Sequence, residues 1–203
     1  MKTRIAPAVW VLLWCIPALA QQARPVIVAE GGQPDDRASA RVLYWNTAKN
    51  HAAGQFAFNY GRPLWRSEYE DAAKFDAMTR GKTWRMGSNF WTALDTCLPL
   101  TISGKKVAPG YYYLGLRRSA DGARWSLAFI DPAKVRTARL DAFEVARAPL
   151  EFEVPMTAAA ATGKPEKLTL ELSYPKTDVR KVTLRISWGT LALTAPIEVA
   201  VPE

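Results

Sequence analysis

The chain has 203 residues, 49% of them hydrophobic, and carries 27 Lys and Arg against 19 Asp and Glu. That length suits one domain, with a core large enough to need no disulfide. The positive charge is scattered, no basic run exceeding the pairs Lys105-Lys106 and Arg117-Arg118. This excludes the concentrated basic face of a nucleic-acid binder and leaves at most a weak attraction to anionic envelope polymers.

The first element is a targeting signal. Met1-Lys2-Thr3-Arg4 is basic, residues 9–16 are apolar, and Ala18-Leu19-Ala20 is a small-x-small cleavage site, so residues 1–20 are expected to be a secretory signal peptide cut after Ala20. The apolar run is shorter than the roughly 20 residues of a spanning helix. No transmembrane segment is therefore expected after cleavage, and the expected location is periplasmic or secreted. Cys15 follows bulky Trp14, which argues against a lipoprotein. Cleavage would remove Lys2 and Arg4, leaving 25 basic residues against 19 acidic, a net charge of +6. Cys97 would then be the lone thiol. Its apolar surroundings, residues 94–100, favour an inert core position over a reactive thiol or an intermolecular bridge.

Residues 21–40, with Gly31-Gly32 and Pro34, read as a flexible lead-in, and residues 41–203 as a single domain. Strand signals begin at residues 41–44. Phe56, Phe58 and Tyr60 alternate with Ala57 and Asn59 at a period of two. Residues 67–81 differ: Ser67 with Glu70 forms a capping-box pattern, and Ala72, Ala73, Phe75 and Met78 supply one apolar side. This predicts at most one short helix, near residues 67–80. Pro109-Gly110 signals a turn. Tyr112, Leu114 and Leu116 make one strand face, and Asp121-Gly122 turns the chain into Trp125, Leu127 and Phe129. Leu150, Phe152 and Val154 alternate with Glu151 and Glu153, and residues 157–164 read as a loop.

The last third alternates most regularly. Leu168, Leu170, Leu172 and Tyr174 form one run, Val182, Leu184, Ile186 and Trp188 a second, and Ile197, Val199 and Val201 a third. One apolar face and one polar face mark antiparallel strands covered on one side. The prediction is an all-β antiparallel β-sandwich, Ig-like or jelly-roll-like.

Two clusters stand out against this pattern: Tyr60-Gly61-Arg62-Pro63, and the run from Trp84 through Arg85 and Gly87 to Asn89. Arginine and asparagine are costly to bury and must find partners. The structural reading is that Arg62 and Arg85 are buried and tie loops down, with Glu68, Glu70 and Asp71 as available carboxylates. The binding reading makes Tyr60, Arg62, Trp65, Trp84, Arg85, Asn89 and Trp91 a ligand face, with Tyr111 offering a further ring. Aromatic area beside a few oriented polar groups suits sugars or peptides. Candidate partners are a cell-envelope glycan or another envelope protein.

Catalysis has little to work with. His51 is the lone histidine, expected in a polar loop before the first clear strand, and no Gly-x-Ser-x-Gly elbow occurs. A glycan-active hydrolase would have to use carboxylates near residues 68–71. No Cys-x-x-Cys, histidine pair or EF-hand loop suggests a metal, and no glycine-rich phosphate cradle suggests a nucleotide, so no cofactor is expected.

The two clusters, followed by Ala108-Pro109-Gly110 with Tyr112, then Trp125, then Ser187-Trp188-Gly189, resemble the bacterial domain of unknown function 2911 family from about residue 54 to residue 199. The segment between the clusters is longer and more acidic than that pattern, and Phe90-Trp91 replaces small or charged residues after Asn89. The resemblance implies an extracytoplasmic β-sandwich and no particular activity. A non-catalytic binding or envelope-associated module is the reading these residues favour, with a purely structural subunit as the alternative.

Overall fold

Twelve strands form two antiparallel sheets in the computed structural model, which describes Ile27, Ala29 and residues 31–202. The strands are β1 (Arg37–Asn46), β2 (His51–Gly61), β3 (Thr83–Trp84), β4 (Thr92–Thr96), β5 (Leu100–Ile102), β6 (Lys105–Val107), β7 (Gly110–Arg118), β8 (Trp125–Ile130), β9 (Leu150–Ala158), β10 (Thr169–Ser173), β11 (Lys181–Trp188) and β12 (Leu191–Val199). The first sheet runs β1-β2-β4-β7-β8-β9, with β3 also on β7, and the second runs β12-β11-β10, with β5 and β6 attached to β12. The far end of β9 crosses between them, Thr157 and Ala158 pairing with Thr194 and Leu193. The expected loop at residues 157–164 therefore begins two residues late, because its first two residues join the sheets. The signal peptide expected at residues 1–20 lies outside the described residues.

The period-two pattern becomes the core. Phe56 and Phe58 of β2, Leu114 and Leu116 of β7, Leu127 and Phe129 of β8 and Val154 of β9 face Leu184 and Ile186 of β11 and Leu193 and Ile197 of β12, all nearly inaccessible to solvent. Each such side chain contributes about 1.5–3 kcal/mol on burial. The structure is thus an all-β sandwich.

A second, smaller core covers the other face of the first sheet. Trp91, Ala93, Tyr113 and Ile130 point outward there and are buried by Val135, Ala142 and Val145. Those three come from α2 (Pro132–Thr137) and a 3-10 helix at Ala142–Arg147, which the sequence reading did not anticipate. Both begin at aspartates. Asp131 caps α2, with Pro132 in its first turn, and Asp141 with Glu144 forms a complete capping box.

The expected helix near residues 67–80 exists with a different start. A 3-10 turn spans Ser67–Tyr69, and α1 (Ala72–Thr79) is capped by Asp71, whose carboxylate accepts from the Ala73 and Lys74 amides. Ser67 makes no cap. Three further expectations change. β1 begins at Arg37, four residues before the first strand signal. His51 opens β2 rather than sitting in a loop before the first strand. Cys97 is exposed, not in the core. The inward position is taken by Thr96, whose hydroxyl donates to the Leu98 carbonyl, and Cys97 falls just past the end of β4.

Candidate functional site

Strand pairing brings the two clusters together. β3 and β4 lie on the same edge of β7, Trp84 opposite Leu116 and Thr92 opposite Leu114. The seven residues 85–91 between them leave the sheet as a loop. β2 pairs with β4 through Asn59 and Ala93, so Tyr60 and Gly61 run beside that loop. The approach is close enough to need glycine: a Cβ on Gly61 would lie 2.3 Å from the Ser88 carbonyl oxygen. Within the loop Met86 (φ 49°) and Asn89 (φ 62°) are left-handed. Asparagine tolerates that region, whereas for methionine it is strained. Complete burial of Met86 and a hydrogen bond from the Thr92 hydroxyl to its carbonyl hold it there.

An aromatic cluster forms one wall. The Trp84 ring stacks on Trp188 at 4.9 Å and 13° between planes, and Trp65 meets Trp188 edge-on at 5.0 Å. Tyr69 lies 5.0 Å from Trp188, and Phe75 5.7 Å from Trp65. The polar edges of two of these rings are satisfied. Trp188 Nε1 donates to the Pro63 carbonyl at 2.9 Å and Trp65 Nε1 to Glu70 Oε1 at 2.8 Å. Gly189 closes the turn between β11 and β12 with φ 52°, and a Cβ there would penetrate the Trp65 ring at 2.0 Å.

Against this wall lies a hollow of about 390 Å³. Trp84, Tyr69 and Trp188 line it together with Arg66, Arg85, Ser88 and Asn89. Of the seven expected site residues, it brings together Trp84, Arg85 and Asn89. Trp65 stands behind the wall. Tyr60 is buried in the main core, its hydroxyl accepting from the Leu170 amide at 3.0 Å. Trp91 is buried in the second core, stacked on Tyr113 at 4.8 Å. Arg62 turns to Asp36, with a backbone bond of 2.9 Å and an ion pair of 3.9 Å, while Lys167 reaches the same carboxylate at 2.6 Å. Arg66 and Tyr69 carried no sequence signal, and Ser88 lay within the second cluster without being singled out as a contact.

The arginines correct an expectation. Neither is buried, and neither meets the proposed carboxylates. The Arg62 side chain is 34% exposed. Arg85 is half-buried, donates at 3.5 Å to the Asn89 carbonyl, and lies 4.4 Å from the ring centre of exposed Phe143. The carboxylates are engaged elsewhere. Glu68 pairs with Arg66 at 3.5 Å, Glu70 accepts from Trp65 and Lys164, and Asp71 caps α1. Arg85 consequently has no carboxylate within ion-pair distance among the described residues. Asn89 is tethered, its amide donating to Asp35 at 2.6 Å.

The Trp65 hydrogen bond, supported by Lys164, holds Glu70 below its ordinary range, whereas a general acid needs the opposite shift. No group of three or more His, Cys, Asp or Glu placed to hold a metal occurs among the described residues, and no described helix is long and apolar enough to cross a membrane. A larger hollow of about 450 Å³ lies by Arg117, Trp125 and Glu153. Arg117 there pairs with Glu153 at 3.5 Å, with Ser126 donating to the same carboxylate, while Arg124 is exposed. Arg85, by contrast, is half-buried beside Tyr69, Trp84 and Trp188.

No curated protein and no solved structure matches the chain. A family model described as a protein of unknown function does match, over residues 46–197. The matched segment contains both clusters, the loop that joins β3 to β4 and the Trp188 wall. By that match the chain belongs to the DUF2911 family of proteins of unknown function.

Proposed function

We propose that this protein is a non-catalytic binding module of the cell envelope, periplasmic or secreted, and that the hollow around Arg85 receives an anionic envelope glycan. The signal-peptide pattern at residues 1–20 supports the location. One observation carries the ligand reading: a half-buried guanidinium without a carboxylate partner among the described residues lies beside an aromatic wall, with Ser88 and Asn89 at hand. Aromatic walls suit the apolar faces of sugar rings, and a guanidinium fork matches a carboxylate in geometry. The wall is held in place before any ligand arrives, which lowers the cost of binding.

Calorimetric titration of the purified protein with peptidoglycan fragments and acidic oligosaccharides tests this. Saturable binding of carboxylate-bearing glycans, weakened by Arg85→Ala, is the expected result. Failure of every acidic glycan to bind, or binding indifferent to Arg85, would overturn it.

A further inference from the structure

A second hollow adjoins the first. It measures about 80 Å³, and Phe75 and Met78 of α1 and Leu191 of β12 line it together with Tyr69, Trp84 and Trp188. The last three also line the Arg85 hollow, so the two share a wall. The hydroxyl of Thr79, at its margin, is committed, donating to the Phe75 carbonyl at 2.8 Å and accepting from Arg118 at 2.8 Å. A cavity of about 150 Å³ accommodates a benzene ring. The smaller hollow is therefore too small for a sugar ring and of a size for a substituent of two or three heavy atoms.

We infer that this small hollow receives the acyl group of the sugar held at Arg85, so that the preferred ligand carries both a carboxylate and an N-acetyl group. The inference rests on the glycan reading above and extends it to ligand class. The guanidinium takes the carboxylate, and the indole rings of Trp84 and Trp188 take the acetyl methyl. Either feature alone leaves one hollow unfilled.

Four monosaccharides separate the possibilities: N-acetylmuramic acid and N-acetylneuraminic acid, which bear both groups on different frameworks, glucuronic acid, which lacks the acyl group, and N-acetylglucosamine, which lacks the acid. Titrated into the full-length protein, at least one doubly substituted sugar is expected to bind about fourfold more tightly than glucuronic acid, the value of one buried methyl. Saturation-transfer NMR should place the strongest contact at its acetyl methyl. Met78→Trp, at a partly exposed position on α1, should fill the hollow and abolish the preference. Equal affinity for glucuronic acid and both acetylated acids, or a weak acetyl signal, overturns the acyl assignment and leaves the anionic-glycan reading standing. Absence of binding by all three acids overturns both.

Discussion

Replacement of Arg85 by alanine separates a structural arginine from a ligand-binding one. In the folded protein its guanidinium makes a hydrogen bond at the 3.5 Å limit and a cation–π contact with an exposed ring. A contact of the second kind is worth about 0.5–1 kcal/mol at an exposed site, and so long a hydrogen bond adds little. Arg85→Ala should therefore cost about 1 kcal/mol, or about 2–4 °C in Tm for a domain of this size. Binding should suffer far more, because a hydrogen bond to a charged partner is worth about 1.5–3 kcal/mol, a ten- to hundredfold loss of affinity. Differential scanning calorimetry and titration with an acidic glycan read the two quantities on one sample. Arg85→Lys should keep the stability and recover part of the affinity, since the charge remains and the planar fork is lost. A fall in Tm well beyond about 10 °C, the mark of a buried pair broken at about 3–5 kcal/mol, would refute the reasoning and return Arg85 to the architecture.

Gly189→Ala places a methyl in the Trp65 ring at a left-handed φ and should destabilise by more than about 1 kcal/mol, measured by urea unfolding. The Lys167 hydrogen bond, with Arg62 adding attraction, holds the Asp36 carboxyl below its ordinary value of 3.8. A depressed folded value means that this contribution is complete above 3.8 and is lost as pH falls through the lower folded value, so Asp36→Asn should flatten the acid limb of stability against pH. Burial pushes the Tyr44 hydroxyl up to about 12 from 10.0. The folded state thus retains a proton that the unfolded chain sheds above pH 10, and stability falls as pH rises from 10 to 12. Tyr44→Phe should lose the bond to the Val179 carbonyl at neutral pH, about 1 kcal/mol, and shift alkaline unfolding, followed by far-UV ellipticity, to higher pH.

How much of this was legible in the sequence depended on whether one side of each element is wet. β11 alternates because Lys181 and Thr183 face solvent while Val182 and Leu184 face the core, and its apolar face read correctly. The start of β12 did not, because Ala192 and Leu193 are both buried and no alternation survives. α2 has six residues, too few to establish a helical period, and only Asp131-Pro132 could have signalled it. Cys97 misled because its neighbours are apolar, although the strand ends before it. The two clusters were visible as polar outliers, but their meeting depends on β3 and β4 sharing one edge of β7, a long-range pairing that leaves no local trace. Tyr60 and Trp91 carried the residue types of a binding face. Their outcome was set by which face of β2 and which side of the first sheet they reach.

That division also decides which residues are architecture and which are available for function. In the aromatic cluster, Trp65 and Trp188 have their ring nitrogens bonded, and Gly189 admits no side chain beneath Trp65. Such a cluster has little freedom left and serves as a fixed wall. The loop beside it differs in kind. It holds a buried methionine at positive φ, and its arginine faces no acid among the described residues. Backbone strain persists only where the surroundings over-determine it, and here the surroundings are the Thr92 hydroxyl, Gly61 and the core beneath Met86. A loop fixed at that cost, next to a wall already rigid, sets the backbone from which Arg85 extends, so that ordering the loop adds nothing to the cost of binding there. Its place beside the aromatic wall sets Arg85 apart from Arg62, Arg66 and Arg117, which have carboxylates to hold.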